Sequence, residues 1–332
     1  MRGKGVTGKK LKICIIGSGG MARHHVDGFG KIDSVEVVAI ASRNAQTGVQ
    51  LAETCSAKFL SDWNDLVQHE GLDGVVICTH NNSHGEIAVA ALRADKHVFT
   101  EYPLARSIDE GEEAVRLAKS NRRVLRVSHS EAVSNSHKAI KRKVGELGQL
   151  LLTSFLRLTA GRGGRPEILF NLPISGPPAH FFVYHIYPII DLFGGVEWVE
   201  AGAVYEGLTD NGGYHRFVNS VTVGFKAGGI GQWTWSGGIE INAAEQHQRY
   251  VLTDGALINS GSGWTCSTRS GIEDVLPFDG PSLSLQELWL DEIQEGGSNA
   301  AHADAAIALE AIKVSLYAEQ SMQENRRIAL VN

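Results

Sequence analysis

Residues 11–22, LKICIIGSGGMA, decide the fold. A nearly continuous apolar run leads up to a glycine, as in a strand covered on both faces. Gly17-x-Gly19-x-x-Ala22 follows at once and opens a helical segment. Each small residue has a physical task. Gly17 permits the tight turn, Gly19 lets a pyrophosphate approach the backbone, and Ala22 lets helix and sheet pack closely. The unpaired N–H groups and the dipole at the helix start then face the phosphates. An ordinary Gly-rich βα turn can share this spacing. The flanking strand and helix, and the β-α unit that comes next, point to dinucleotide binding by Gly17, Ser18, Gly19, Gly20, Met21 and Ala22.

Outward from this turn, strand and helix patterns alternate. VEVVAIAS (35–42), GVVICT (74–79), HVFTE (97–101) and VLRVS (124–128) read as further strands. Ser83 with Glu86 and Ser107 with Glu110 have capping-box spacing. This order predicts a parallel sheet with right-handed crossovers over residues 1–128. After about residue 148 the pattern changes. QLLLTSFLRLTAG reads as a long strand, and YHRFVNSVTVGF and GGIGQWTWSGGI as two strands joined at Lys226 to Gly229. QRYVLTDGALIN reads as a hairpin turning at Asp254-Gly255. NSGSGWTCSTRSG reads as a mobile surface segment. The end is helical, with Ile307, Ala311, Val314 and Ala318 at helical spacing. The fold class expected is α/β: an N-terminal Rossmann domain (1–128), then a C-terminal α/β domain (129–332) with a large, mostly antiparallel open sheet.

Of the 332 residues, 43 % are hydrophobic and 20 % charged, enough apolar material to bury a substantial core. A formal charge of −6 offers no electrostatic case for nucleic acid or an anionic membrane. Cys14, Cys55, Cys78 and Cys266 stand far apart, which fits a reducing compartment. No signal-peptide pattern or membrane-length apolar run occurs, and the basic start reads as a tail, so a cytoplasmic protein is expected. No Asp, Glu and His set has metal-ligand spacing, so no metal is expected.

The end of the second strand bears on the choice of cofactor. An acid there would accept hydrogen bonds from the ribose 2′-OH of NAD. This chain has Ser42-Arg43. Serine removes the repulsion of a 2′-phosphate and arginine can pair with it, so NADP(H) is expected ahead of NAD(H). The alternative is an Arg43 that stacks on the adenine or points into solvent.

GSGGMARHH, CTHNNSHGEIAVAALRADKHVFTEYPLA and HIYPIIDLFGG together resemble the glucose–fructose oxidoreductase / inositol dehydrogenase family (Gfo/Idh/MocA). The resemblance covers most of the chain; its N-terminal motifs are specific and the C-terminal match is looser. It implies a Rossmann domain, then an α/β domain whose open sheet carries the oligomer interface. It also implies hydride transfer between a nicotinamide and a sugar, polyol or related carbonyl compound. Gly17, Gly19, Gly20, Met21 and Ala22 match the family's phosphate turn. Thr79, Asn81 and His84 match its T-x-N-x-x-H stretch beside the cofactor, which here also contains His80. Glu101 and Pro103 match its E-K-P motif, with Tyr102 in place of the usual lysine acid/base. His185 falls where the family's C-terminal catalytic histidine would be, and the acid four residues earlier falls on Phe181. Two of three usual catalytic positions are therefore altered. Glu101-Tyr102-Pro103 is also similar to the biliverdin reductase branch, as are LRLTAG, FNLPISG and QRYVLTDGALIN. That branch tends to have arginines around His185–Pro188, and this chain has none there.

A free tyrosine titrates at about 10, so at neutral pH Tyr102 is a donor rather than a base. It can still polarise a substrate oxygen or deliver a proton. Histidine has the better intrinsic pKa for proton exchange, so His185 is expected as acid/base and Tyr102 as orienting donor or co-acid. Glu101 is expected to hold the turn and approach the nicotinamide edge. The resemblance implies a cis peptide before Pro103. Plainer readings make Tyr102 a strand-end residue and His185 a core histidine. His24 and His25 are expected to cap or pack; His80, His129 and His180 are further cleft candidates. The function expected is an NAD(P)-dependent oxidoreductase transferring a hydride between nicotinamide and a small carbonyl or hydroxyl substrate, sugar- or polyol-like. The alternatives are a biliverdin-reductase-like C=C reductase, and a cofactor-binding sensor or scaffold without turnover. Family analogy implies a homo-oligomer, dimer or tetramer.

Overall fold

The computed structural model describes residues 10–297 and 299–330. The basic start, up to residue 9, lies outside the described residues. Two compact units form: residues up to Ser128 with Leu283–Ala306, and His129–Ser282 with residues from Ile307 onward.

The first unit is built on β1 (Leu11–Ile16), β2 (Val35–Ala41), β3 (Lys58–Leu60), β4 (Gly74–Ile77), β5 (His97–Thr100) and β6 (Leu125–Val127). All pair in parallel, in the order β3-β2-β1-β4-β5-β6. The order reverses between β1 and β4, and the crevice at such a switch point is where open α/β sheets bind ligands. Ile13 and Ile15 on one face and Cys14 and Ile16 on the other are all buried, which is why β1 reads as a run rather than an alternation. Ser107 caps the helix Ile108–Ser120 by accepting the Glu110 N–H at 3.1 Å. Ser83 does not cap the helix His84–Arg93. A 3₁₀ turn, Asn81–Ser83, precedes that helix, and the Ser83 hydroxyl bonds Thr79 Oγ1 at 2.8 Å instead.

Residues 283–306, expected with the second domain, group with the first unit. The helix Leu285–Gln294 opens with a full capping box, Ser284 with Glu287. Its Trp289 is fully buried, with ring centroids 5.9 Å from both Phe29 and Phe99. Glu292 accepts from the buried Arg126 Nε at 2.9 Å. These contacts join residues more than 160 positions apart, which local patterning does not register.

The second unit holds β7 (Leu150–Ala160), β8 (Val196–Glu206), β9 (Arg216–Phe225), β10 (Ile230–Ile239), β11 (Glu245–Leu252), β12 (Gly255–Asn259), β13 (Trp264–Thr268), β14 (Gly271–Val275) and β15 (Ile328–Ala329). They form one nine-stranded sheet, β14-β13-β12-β11-β7-β10-β9-β8-β15, antiparallel except where β7 meets β10. Trp233 and Trp235 are both buried on one face of β10, as alternation requires. The segment expected to be a mobile loop contains β13, which pairs on both edges. Trp264 stacks on Tyr250 at 5.0 Å and Cys266 is buried, so long-range pairing overrides the Gly/Ser composition. Among the described residues, no helix is long and apolar enough to cross a membrane.

Candidate active site

The glycine turn sits at the carboxyl end of β1. Gly17 has φ +127°, and a Cβ there would lie 2.3 Å from the Cys78 carbonyl oxygen. No side chain fits between β1 and the loop after β4. The helix Gly20–Phe29 starts at Gly19 in extended conformation, with no side-chain cap. Its first N–H groups are thus left for a ligand rather than for the chain itself. A Cβ on Gly20 would meet nothing within 4 Å, and Met21 is exposed, so the turn opens outward. Ala22 is fully buried against the sheet. These features fit a dinucleotide pyrophosphate.

Beside the turn, Ser18 and Ser42 hydroxyls lie 2.8 Å apart, and Ser18 lies 2.6 Å from Thr47 Oγ1. Ser42 is therefore tied to the phosphate turn. Arg43 is exposed. Asn44 caps the helix Ala45–Thr54 by accepting the Thr47 N–H at 3.1 Å. Thr47 is a part of this corner that sequence reasoning missed; nothing distinguishes it from any other helix N3 threonine.

The loops after β4 and β5 end at the same edge of the sheet as the turn, since all three strands run parallel. Thr79, His80 and Asn81 are half-buried. His84 is buried, with Nδ1 2.8 Å from the Pro103 carbonyl oxygen and Nε2 3.2 Å from that of Thr79. It clamps the two loops together. Burial pushes its pKa down, so the neutral ring donates to one carbonyl only. The Tyr102–Pro103 peptide is cis, and Tyr102 is half-buried at the loop start.

Glu101 is 7 % exposed and lies 2.6 Å from His25 Nε2. The Gln286 amide nitrogen lies 3.0 Å from His25 Nδ1. An amide N–H can only donate, so Nδ1 accepts and Nε2–H donates to the Glu101 carboxylate. A buried chain Gln286–His25–Glu101 therefore anchors the Glu-Tyr-Pro turn to the first helix. The Glu101 oxygen engaged here points to His25. Gln286 was invisible in the sequence, 261 residues from its partner.

His185 lies in the second unit, on the helix Val183–Phe193. Its Nδ1 accepts from the Trp235 indole N–H at 3.1 Å, and the Phe155 ring is 4.5 Å away. Burial pushes its pKa well below the usual histidine value, and the charge of Arg157 acts the same way. The expectation of proton exchange near neutrality does not hold for this environment: the ring is neutral and carries its proton on Nε2. His180 Nδ1 lies 2.8 Å from Ser315 Oγ and His129 stacks on Tyr187 at 4.1 Å, both packing roles. A surface depression of about 430 Å³ lies at the start of β2, near Lys31 and Val35. It is at the opposite end of the sheet from the glycine turn and is not the cofactor site. Among the described residues no three His, Cys, Asp or Glu side chains group as metal ligands.

Residues 11–129 match the family described as an oxidoreductase family with an NAD-binding Rossmann fold, Gfo/Idh/MocA. The chain is 28 % identical over 212 residues to the 4-carboxy-2-hydroxymuconate-6-semialdehyde dehydrogenase of Sphingobium, covering 62 % of this chain and 64 % of that one. The curated relatives it matches are thus spanned over less than two thirds of their length. In fold it is similar to the biliverdin reductase of Synechocystis in complex with biliverdin and NADP+, with a TM-score of 0.82 at 22 % identity, covering 94 % of this chain and 99 % of that one. It is also similar to levoglucosan dehydrogenase in complex with NADH, with a TM-score of 0.80 at 18 % identity, covering 98 % and 100 %.

Proposed function

We propose, from a Rossmann domain of Gfo/Idh/MocA type, that this chain transfers a hydride between NADP(H) and a small carbonyl or hydroxyl compound. The uncapped helix start behind Gly17, open at Gly20, carries the reading. The nicotinamide, when bound, supplies the hydride chemistry. The protein supplies orientation and proton management. Ser18, Gly19, Gly20, Met21 and Ala22 hold the pyrophosphate by backbone N–H groups. Arg43 pairs with a 2′-phosphate, and Ser42, held by Ser18, keeps that corner free of negative charge. Thr79, His80 and Asn81 flank the nicotinamide half, while His84 and Glu101 position their loops from behind. Tyr102 donates its O–H to the substrate oxygen, in place of a lysine. His185 acts as a neutral donor through Nε2 rather than as an acid.

Self-association through the outer face of the nine-stranded sheet belongs to the same proposal, supported by Val204 and Val218, exposed and paired across β8 and β9. Tyr102 between Glu101 and Pro103 favours one second reading, a bilin-type C=C reductase; loss of biliverdin's long-wavelength absorbance with NADPH would support it.

The test is calorimetric titration with NADPH and NADH of the wild type and Arg43→Gln. NADPH is expected to bind tighter, and Arg43→Gln to lose about ten- to a hundredfold of NADPH affinity only, one charge-assisted contact. Tighter binding of NADH by the wild type would refute the cofactor preference, and no heat with either cofactor would refute the function.

A further inference from the structure

β7 is the fifth of nine strands in its sheet, so its helix-covered face should be apolar. Phe155 obeys this, its ring lying against His185 on the helix Val183–Phe193. Side chains two apart on a strand share a face, so Arg157 and Thr159 follow Phe155 on that face. The register sets Arg157 between Trp235 on β10 and Gln246 on β11. Its charge acts on both His185 and the Tyr184 hydroxyl.

Arg157 is half-buried. Nη1 donates to Gln246 Oε1 at 2.8 Å, while Nε is closed to solvent and has no acceptor. The Thr159 hydroxyl is likewise buried and unpartnered. Among the described residues Arg157 forms no ion pair; Glu131, which also acts on Tyr184, is not paired with it. A guanidinium drawn partly out of water without a counter-charge is costly. Its planar fork matches a carboxylate. We propose that Arg157, assisted by Thr159, binds a carboxylate of the substrate, which makes the substrate class a small hydroxy or carbonyl acid rather than a neutral sugar or polyol. The inference rests on the hydride-transfer reading for its chemistry, but the arginine site is separately measurable.

Calorimetry on the full chain, with and without saturating NADP+, would compare D-glucuronate with D-glucose and lactate with 1,2-propanediol. At least one acid should bind about tenfold tighter than its neutral counterpart, the scale of one charged hydrogen-bonded pair. Arg157→Gln should abolish that preference and Arg157→Lys retain part of it, with NADP+ affinity and melting temperature unchanged. If Arg157→Gln melts early, Thr159→Val replaces it and should weaken acid binding alone. Equal binding of acid and neutral partners, no binding of either acid, or a preference that survives Arg157→Gln would overturn the proposal. An acid preference in a protein that ignores NADP+ would uphold the arginine site while refuting the redox reading.

Discussion

Gly17 and Gly20 stand three residues apart in one turn, yet alanine at each should do different things. At Gly17 the new Cβ would lie 2.3 Å from the Cys78 carbonyl oxygen, where at least 3.0 Å is needed. The obstacle is backbone, so the turn itself must retreat. Holding a non-glycine residue at φ +127° adds about 1–3 kcal/mol of strain. Gly17→Ala should therefore lower stability by at least that amount. It should also misalign the helix-start N–H groups, each worth about 1.5–3 kcal/mol to a phosphate oxygen. Losing one weakens cofactor binding about ten- to a hundredfold. A Cβ at Gly20 meets nothing within 4 Å. Gly20→Ala should leave the free protein as stable as the wild type, or up to about 1 kcal/mol more stable through helix propensity. Its methyl group would occupy the space proposed for the pyrophosphate and so is expected to reduce affinity alone. Urea unfolding and NADPH calorimetry on both variants separate these effects. A Gly20→Ala protein that binds NADPH as the wild type does would refute the placing of phosphate at this turn. An unchanged unfolding midpoint in Gly17→Ala would refute the steric argument.

Two further outcomes are expected. His97 accepts the Val124 N–H at 3.0 Å, and burial, aided by Arg123, pushes its pKa down to about 4. The unfolded chain then binds the proton first, so His97 contributes full stability above the ordinary histidine pKa and loses it as pH falls toward 4, by up to about 3 kcal/mol. His97→Asn should flatten that part of the urea-stability profile, and an unaltered slope would count against it. Trp289→Ala should destabilise by about 3–5 kcal/mol through the cavity left against Phe29 and Phe99; a change within about 0.5 kcal/mol, typical of a surface site, would contradict the packing described.

Much of the site was legible because it is local. A tight strand-to-helix turn needs small residues at fixed offsets, and Gly17, Gly19 and Ala22 declare that in six positions. The Ser42-Arg43 corner and the Glu101-Tyr102-Pro103 turn are read the same way, as strand ends of a parallel sheet. What those residues touch was not legible. Ser83 has the spacing of a cap yet bonds Thr79, because a 3₁₀ turn delays the helix. His185 has a useful intrinsic pKa, yet burial, aided by the charge of Arg157, pushes it well down, and Nδ1 is taken by the Trp235 N–H.

The linear chain determined two things alone: the alternation of strand and helix in the N-terminal domain, and the glycine turn between β1 and the first helix, because periodicity and backbone freedom are set by neighbours a few residues apart. The tertiary structure decided the rest. It brought Gln286 to His25 across 261 residues, returned Trp289 to the first sheet, and left Arg157 on a central strand bonded to Gln246, with no ion pair among the described residues. Burial and partnership are properties of the folded surroundings, and they, rather than residue type, determine whether a carboxylate anchors a turn or a histidine carries charge.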